Sequence, residues 1–174
     1  MAAWTHIGNA TITLPDAVAT FSSISASYDH LCLKISARTD QVAVVGGMGM
    51  KFNSATTNYS ETRLTASTST PTSSRKTGES ILRAWGNACG ASALADTFST
   101  TTVWIPNYAN TANYKSFIAQ SAVENNSSTT DFNLMLDAGL WSDNAAINRI
   151  DISLLSGDDF VANSTFDLYG ILGA

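Results

Sequence analysis

Apolar residues spaced two apart, in short runs closed by turn residues, constrain this chain more than any other feature. The pattern is clearest toward the C-terminus. Ile150, Ile152 and Leu154 alternate with Asp151 and Ser153. A period of two puts the aliphatics on one face and the polar pair on the other, as in a half-buried strand. Ser156-Gly157-Asp158-Asp159 supplies turn chemistry, since glycine tolerates positive φ and Ser and Asp bond to nearby backbone. Phe166 and Leu168 then share a face, with Thr165, Asp167 and Tyr169 opposite. A core strand this late in the chain must pair with strands distant in sequence.

The same signature recurs upstream in Ile12/Leu14, Leu31/Leu33/Ile35, Met48/Met50/Phe52, Val103/Ile105 and Phe132/Leu134/Leu136. Gln41–Val45 reads as a further short strand, 114–121 as another, and Phe52–Leu64 as a loop returning into a strand near Arg63. Thr65–Gly78, TASTSTPTSSRKTG, offers no core residue and reads as an exposed loop, as does Glu124–Thr130. Glu79–Trp85 has the composition of a helical turn, which Gly86 and Gly90 would cut short. Asp137-Ala138-Gly139 reads as a turn after Leu136. The expectation is all-β: one jelly-roll-like β-sandwich of about eight to ten short antiparallel strands over residues 1–174, with 1–10 as an extended N-terminal arm.

Composition narrows the function. Charged residues are 13% of the chain, the formal net charge is −5, and Ser plus Thr make up about a quarter. Such a surface is polar without being charged, and contact with a partner costs less desolvation than on a Lys/Glu surface. The acidic balance argues against a nucleic-acid binder, which would need a basic stripe, and against an anionic membrane surface. Met1–Thr11, MAAWTHIGNAT, has neither a basic start nor an apolar core of a leader, and no apolar run approaches the ~18 residues of a membrane helix. Synthesis in a cytosol is expected.

His6 and His30 are the two histidines, without metal-ligand spacing. Cys32 and Cys89 lack CxxC spacing and read as free, buried thiols. Gly46-Gly47-Met48-Gly49 has no helix to follow it, so it is not a phosphate cradle. Asp158, Asp159 and Asp137 match no calcium loop and read as solvated turn residues. The sequons at Asn9, Asn58, Asn125, Asn126 and Asn163 are expected by chance in so Asn-, Ser- and Thr-rich a chain. Trp4, Trp85, Trp104 and Trp141 are candidates for core, for an interface, or for stacking on sugars. No enzyme, metal or cofactor is expected.

Three blocks resemble tailed-bacteriophage virion structural proteins: KFNSATTNYSETRL (Lys51–Leu64), Ile105-Pro106-Asn107-Tyr108-Ala109, and STFDLYGI (Ser164–Ile171) after Phe160-Val161-Ala162. Together they span about two thirds of the chain. The chain departs from the usual pattern at Asn53-Ser54, where an Asn-Gly-Asp-like turn is more typical. The resemblance implies a jelly-roll-like domain of a capsid decoration (cement) protein, or of a head or tail fibre, with no catalytic residues to carry over. A fibre normally has a trimerising shaft, and none is present, which favours decoration. The expected partners are the major capsid protein and further copies of the chain, as a trimer by analogy with the local three-fold positions of a shell. The expected place is the capsid exterior, after synthesis in the host cytoplasm. Trp4 and Ile7 are the expected apolar anchors, reaching a neighbour from the arm. The alternative is a fibre tip binding host glycans through the Thr65–Gly78 and Glu124–Thr130 loops.

Overall fold

The computed structural model describes residues 3–67, 70–126 and 132–173. They form twelve strands and no helix. In chain order the strands are β1 (Ala3–Thr11), β2 (Val18–Phe21), β3 (His30–Ala37), β4 (Val45–Phe52), β5 (Tyr59–Ala66) and β6 (Thr72–Glu79). They continue as β7 (Leu82–Cys89), β8 (Ser99–Pro106), β9 (Lys115–Val123), β10 (Asn133–Trp141), β11 (Ile150–Leu154) and β12 (Thr165–Leu172). All pairings between these strands are antiparallel.

The large sheet runs β1-β12-β3-β8-β9-β10-β5-β6, and the small one β2-β11-β4-β7. Without β5, β6, β9 and β10, the large sheet reduces to β1-β12-β3-β8. The chain then crosses between sheets at every step except from β4 to β7, and its first and last strands are neighbours. That is jelly-roll connectivity. Two hairpins are inserted into it. β5–β6 leaves between β4 and β7, and β9–β10 between β8 and β11. Both join the large sheet beyond β8 and double its width.

The period-two runs explain the jelly-roll half. Leu31, Leu33 and Ile35 of β3, Val103 and Ile105 of β8, and Phe166 and Leu168 of β12 point inward against Met48, Met50, Ile150 and Ile152 of the small sheet. The inserted half has an aromatic core. Phe52 lies 6.0–6.5 Å from Tyr59, Phe117 and Trp141, and Tyr59 stacks on Trp141 at 6.3 Å. Gly139 makes this packing possible. A Cβ there would sit 2.0 Å from the Phe117 ring, so the ring occupies the space a side chain would need.

Several expectations are corrected. The described residues form twelve strands where about eight to ten were expected, and one of those added is β6, almost wholly within the segment read as a loop. Its residues are exposed nearly throughout, so no hydrophobic alternation marks it, and only pairing with β5 makes it a strand. No helical turn forms over residues 79–85. β7 starts at Leu82 and pairs with β4 through a bulge at Met48/Gly49. Asp137-Ala138-Gly139 is not a turn but the middle of β10, paired on both sides. Of the segment read as an extended arm, residues 3–10 are extended and pair along β12 as part of β1, and residues 1–2 lie outside the described residues.

Asn53-Ser54 does make a tight turn. Both residues are left-handed, at φ 51° and 57°, and Ala55 N–H donates to Phe52 C=O at 2.9 Å. This is the geometry for which an Asn-Gly pair is usual. Asn53 is held there by three hydrogen bonds to a distant loop. Its Oδ1 accepts from the Asn148 and Arg149 amides (2.9 and 3.1 Å), and its Nδ2 donates to Ala146 C=O (2.8 Å).

Candidate interaction face

In an antiparallel sheet, directly paired residues share a face, so the register gives the rows that cross it. One row reads His6, Tyr169, Cys32, Trp104, Ile118, Ala138, Thr62, Arg75. The next reads Asn9, Asp167, Lys34, Thr102, Gln120, Leu136, Leu64, Ser73. Both lie on the outer face of the large sheet, away from the second sheet.

This face is unusually apolar at its two ends. At the β1 end, Trp4 packs against Trp104 (6.2 Å) and Tyr169 (5.9 Å), with His6 on Tyr169 (5.2 Å) and His30 on Trp104 (5.4 Å). Trp4 is still 52% exposed. Cys32 is buried in this group, and burial pushes its thiol pKa up, so it behaves as an inert small hydrophobe. At the inserted end Leu134 (60% exposed), Leu64 (51%), Ile118 (44%) and Leu136 (43%) stand on one surface. Beside them a shallow groove of about 350 Å³ is lined by Leu64, Ala66, Pro71, Gln120, Leu134 and Leu136. Between the two ends the rows carry Lys34, Thr102, Gln120 and Asp167.

The inner face of the same strands explains why the leucines point outward. Along β10 the buried set is Met135, Asp137, Gly139 and Trp141. Trp141 belongs to the aromatic core and Gly139 must lie under Phe117, which fixes the parity of the strand. A period of two then sends Leu134 and Leu136 to the outside.

Asp137 enters the interior as part of a charge cluster. Arg63 Nε donates to Asp137 Oδ2 at 2.7 Å, and Arg63 Nη2 to Glu61 Oε1 at 3.2 Å. Glu61 Oε2 accepts the Arg83 amide at 2.6 Å, and Arg63 also donates to the Arg83 carbonyl. Burial pushes Asp137 up to about 6, against the pull of Arg63, and raises Glu61 as well. With Asp137 fully enclosed and Glu61 nearly so, the cluster is closed to a substrate. It joins the two inserted hairpins across the β5–β10 pair.

The anticipated anchors separate. Trp4 stands on the outer face, while Ile7 is half-buried against the core. Ile7 is itself the unpaired residue of the bulge between His6 and Gly8. His30 accepts the Asn107 amide at 3.2 Å through Nδ1 and serves the β8 turn. Trp85 and Trp141 are core, and Cys32 and Cys89 are both buried and free. Among the described residues no group of three or more His, Cys, Asp or Glu is placed to hold a metal ion. Of the two loops considered for glycans, the first contains β6, and residues 127–130 of the second lie outside the described residues.

Sequence reading missed Leu64, Ile118, Leu134 and Leu136 as surface residues. A signal was present: Met135 and Trp141 alternate with Leu134, Leu136 and Leu140 on one strand. A strand apolar on both faces calls for cover on both, and here only the inner face is covered. Compared with protein-family models, curated proteins and solved structures, the chain matches none of them.

Proposed function

We propose that this chain is a non-enzymatic structural protein of a tailed-bacteriophage virion. As a capsid decoration protein it binds the outer face of the major capsid protein shell and stabilises the head. The observation that supports this most is the outer face of the large sheet, where Trp4, Ile118, Leu64, Leu134 and Leu136 are exposed and Trp104 is half-buried on the same surface. Apolar surface gathered in this way marks a contact site. The resemblance of Lys51–Leu64, Ile105–Ala109 and Ser164–Ile171 to phage virion proteins supplies the partner.

In this reading stabilisation comes from burial. A standard interface covers about 800 Å² on each partner, at roughly 25 cal/mol per Å² of apolar area before association costs. Repetition over the shell multiplies the effect. The sparse charge of the chain keeps the desolvation cost low, and its net charge of −5 suits a protein that contacts neither nucleic acid nor membrane. Copies also contact each other, as a trimer on the shell's local three-fold positions, on the capsid exterior after synthesis in the host cytoplasm.

The test is a titration of purified protein onto heads that lack it, with bound copies per head counted by quantitative gel. Saturation at the number of local three-fold positions, with heads gaining heat resistance, supports the reading. No binding to heads overturns it. The half-exposed Trp4, packed on the half-buried Trp104, favours a second reading, a fibre-type module stacking host glycans on those rings. Binding to host cells and to a glycan array, without binding to heads, would select it.

A further inference from the structure

Among the described residues the large sheet ends in two unpaired edges, β6 and β1, of eight and nine residues. Its eight strands alternate in direction throughout. An even number of alternating strands gives the two edges opposite directions. β6 of one copy set beside β1 of another therefore runs antiparallel to it and continues the sheet. β6 packs on β5 and is otherwise exposed. Beside β1 the sandwich is open, with a groove of about 520 Å³ between β1 and β2 walled by His6, Gly8, Thr20, Phe21, Ser22 and Ser23.

We propose that copies of this chain associate head to tail, β6 of one copy adding as a strand to the free edge of β1 in the next, along that groove. The proposal deepens the self-association in the reading above. It rests on that reading only in taking the partner to be a second copy, and it needs no shell.

Three observations favour this occupant. First, the cross-strand rows continue from β6 onto β1, with the β1 bulge at Ile7 taken up between them. The row ending in Arg75 begins at His6, and the row ending in Ser73 begins at Asn9. Arg75 thus arrives opposite His6 of the next copy, and its long side chain reaches across β1 toward Asp167 of β12, which accepts from His6 Nε2 (3.0 Å) and Asn9 Nδ2 (2.8 Å). A guanidinium beside a carboxylate is the complementary choice. Second, the competing symmetric pairing is disfavoured. Opposed residues share a face, so antiparallel overlap of β6 with itself centred on this segment sets either Arg75 opposite Arg75 or Lys76 opposite Lys76, and like charges placed opposite one another oppose pairing. Third, the inward side of β6 suits the groove. Ser74 and Lys76 pair with Arg63 and Glu61 and so face inward. In the next copy they meet the hydroxyls of Thr20, Ser22 and Ser23. Main-chain hydrogen bonds supply affinity in such strand addition, and a head-to-tail contact closes into a ring or runs on as a filament.

The test uses the full chain in solution, without capsids. Ser73→Cys and Asn9→Cys are introduced together at two exposed positions, both native cysteines being buried. Mild oxidation is expected to give covalent multiples of the 18.4 kDa chain from the double variant and none from either single variant. Sedimentation of the unmodified protein is expected to show the same multiples, and Arg75→Glu to weaken association tenfold or more. A monomer at all concentrations with no cross-linked products overturns the proposal. So does a covalent dimer from Arg75→Cys alone or Lys76→Cys alone, which reports symmetric β6 pairing. Either result leaves shell binding to be decided by the titration onto heads.

Discussion

At the scale of the residue, the most informative side chains are polar ones in apolar places. Asp137 and Glu61 share Arg63 inside the sandwich. Their pKa values are raised by burial, so folding favours their protonated forms. The sign follows from linkage. A carboxyl with a raised folded pKa takes up its proton more readily in the folded chain, so stability is lost as pH rises from its ordinary value through its folded value. For Asp137 that window runs from 3.8 to about 6. Asp137→Asn removes the titration and keeps an oxygen for Arg63. The melting-temperature difference between variant and parent is expected to move in the variant's favour between pH 4 and pH 7. An identical difference at both pH values contradicts the assignment. Gly139 tests the packing beside this cluster. Gly139→Ala forces a Cβ into the Phe117 ring and is expected to cost about 2–3 kcal/mol, read as a lower denaturant midpoint with unchanged m-value.

At the scale of the element, what could be read in the sequence depended on burial. β3, β11 and β12 were legible because one face is buried and the other wet, which writes period two directly into Leu31/Leu33/Ile35, Ile150/Ile152/Leu154 and Phe166/Leu168. β6 was not legible, because Thr72–Glu79 buries neither face and its strand character comes from β5. β10 was half legible. The alternation of Leu134 and Leu136 marks a strand, but residues on both faces are apolar. Only the fit of Trp141 and Gly139 against Phe52, Tyr59 and Phe117 decides which side is inside. Asp137 misled for a related reason: Asp-Ala-Gly is turn chemistry in isolation, and pairing on both sides overrides it. The Asn53-Ser54 turn is an element-scale test of the opposite kind, a local motif held by distant contacts. Asn53→Ala removes three hydrogen bonds to residues 146–149 and a residue suited to positive φ. It is expected to lower stability by about 2 kcal/mol, whereas an unchanged unfolding midpoint would show the turn to be self-sufficient.

At the scale of the whole molecule, two inserted hairpins turn an eight-stranded jelly roll into a sandwich with one wide sheet and one narrow one. Fold class was legible from strand number and the lack of helical periodicity. The pairing order was not, because β1 with β12 and β5 with β10 join residues far apart in the chain, and nothing in either strand names its partner. The same insertions create the candidate face. β5, β9 and β10 contribute Leu64, Ile118, Leu134 and Leu136 to its outer side, while β7 backs their inner side. The central claim, that this outer face is the surface by which the protein docks, is tested most directly by Leu134→Ser with Leu136→Ser. Both side chains are largely exposed, so thermal stability is expected to change by no more than about 0.5 kcal/mol. The measurement is the affinity of this folded double variant for heads lacking the protein, compared with the parent chain. A loss of about tenfold or more, equivalent to ~1.4 kcal/mol, is the predicted result; parental affinity would place the docking surface elsewhere on the molecule.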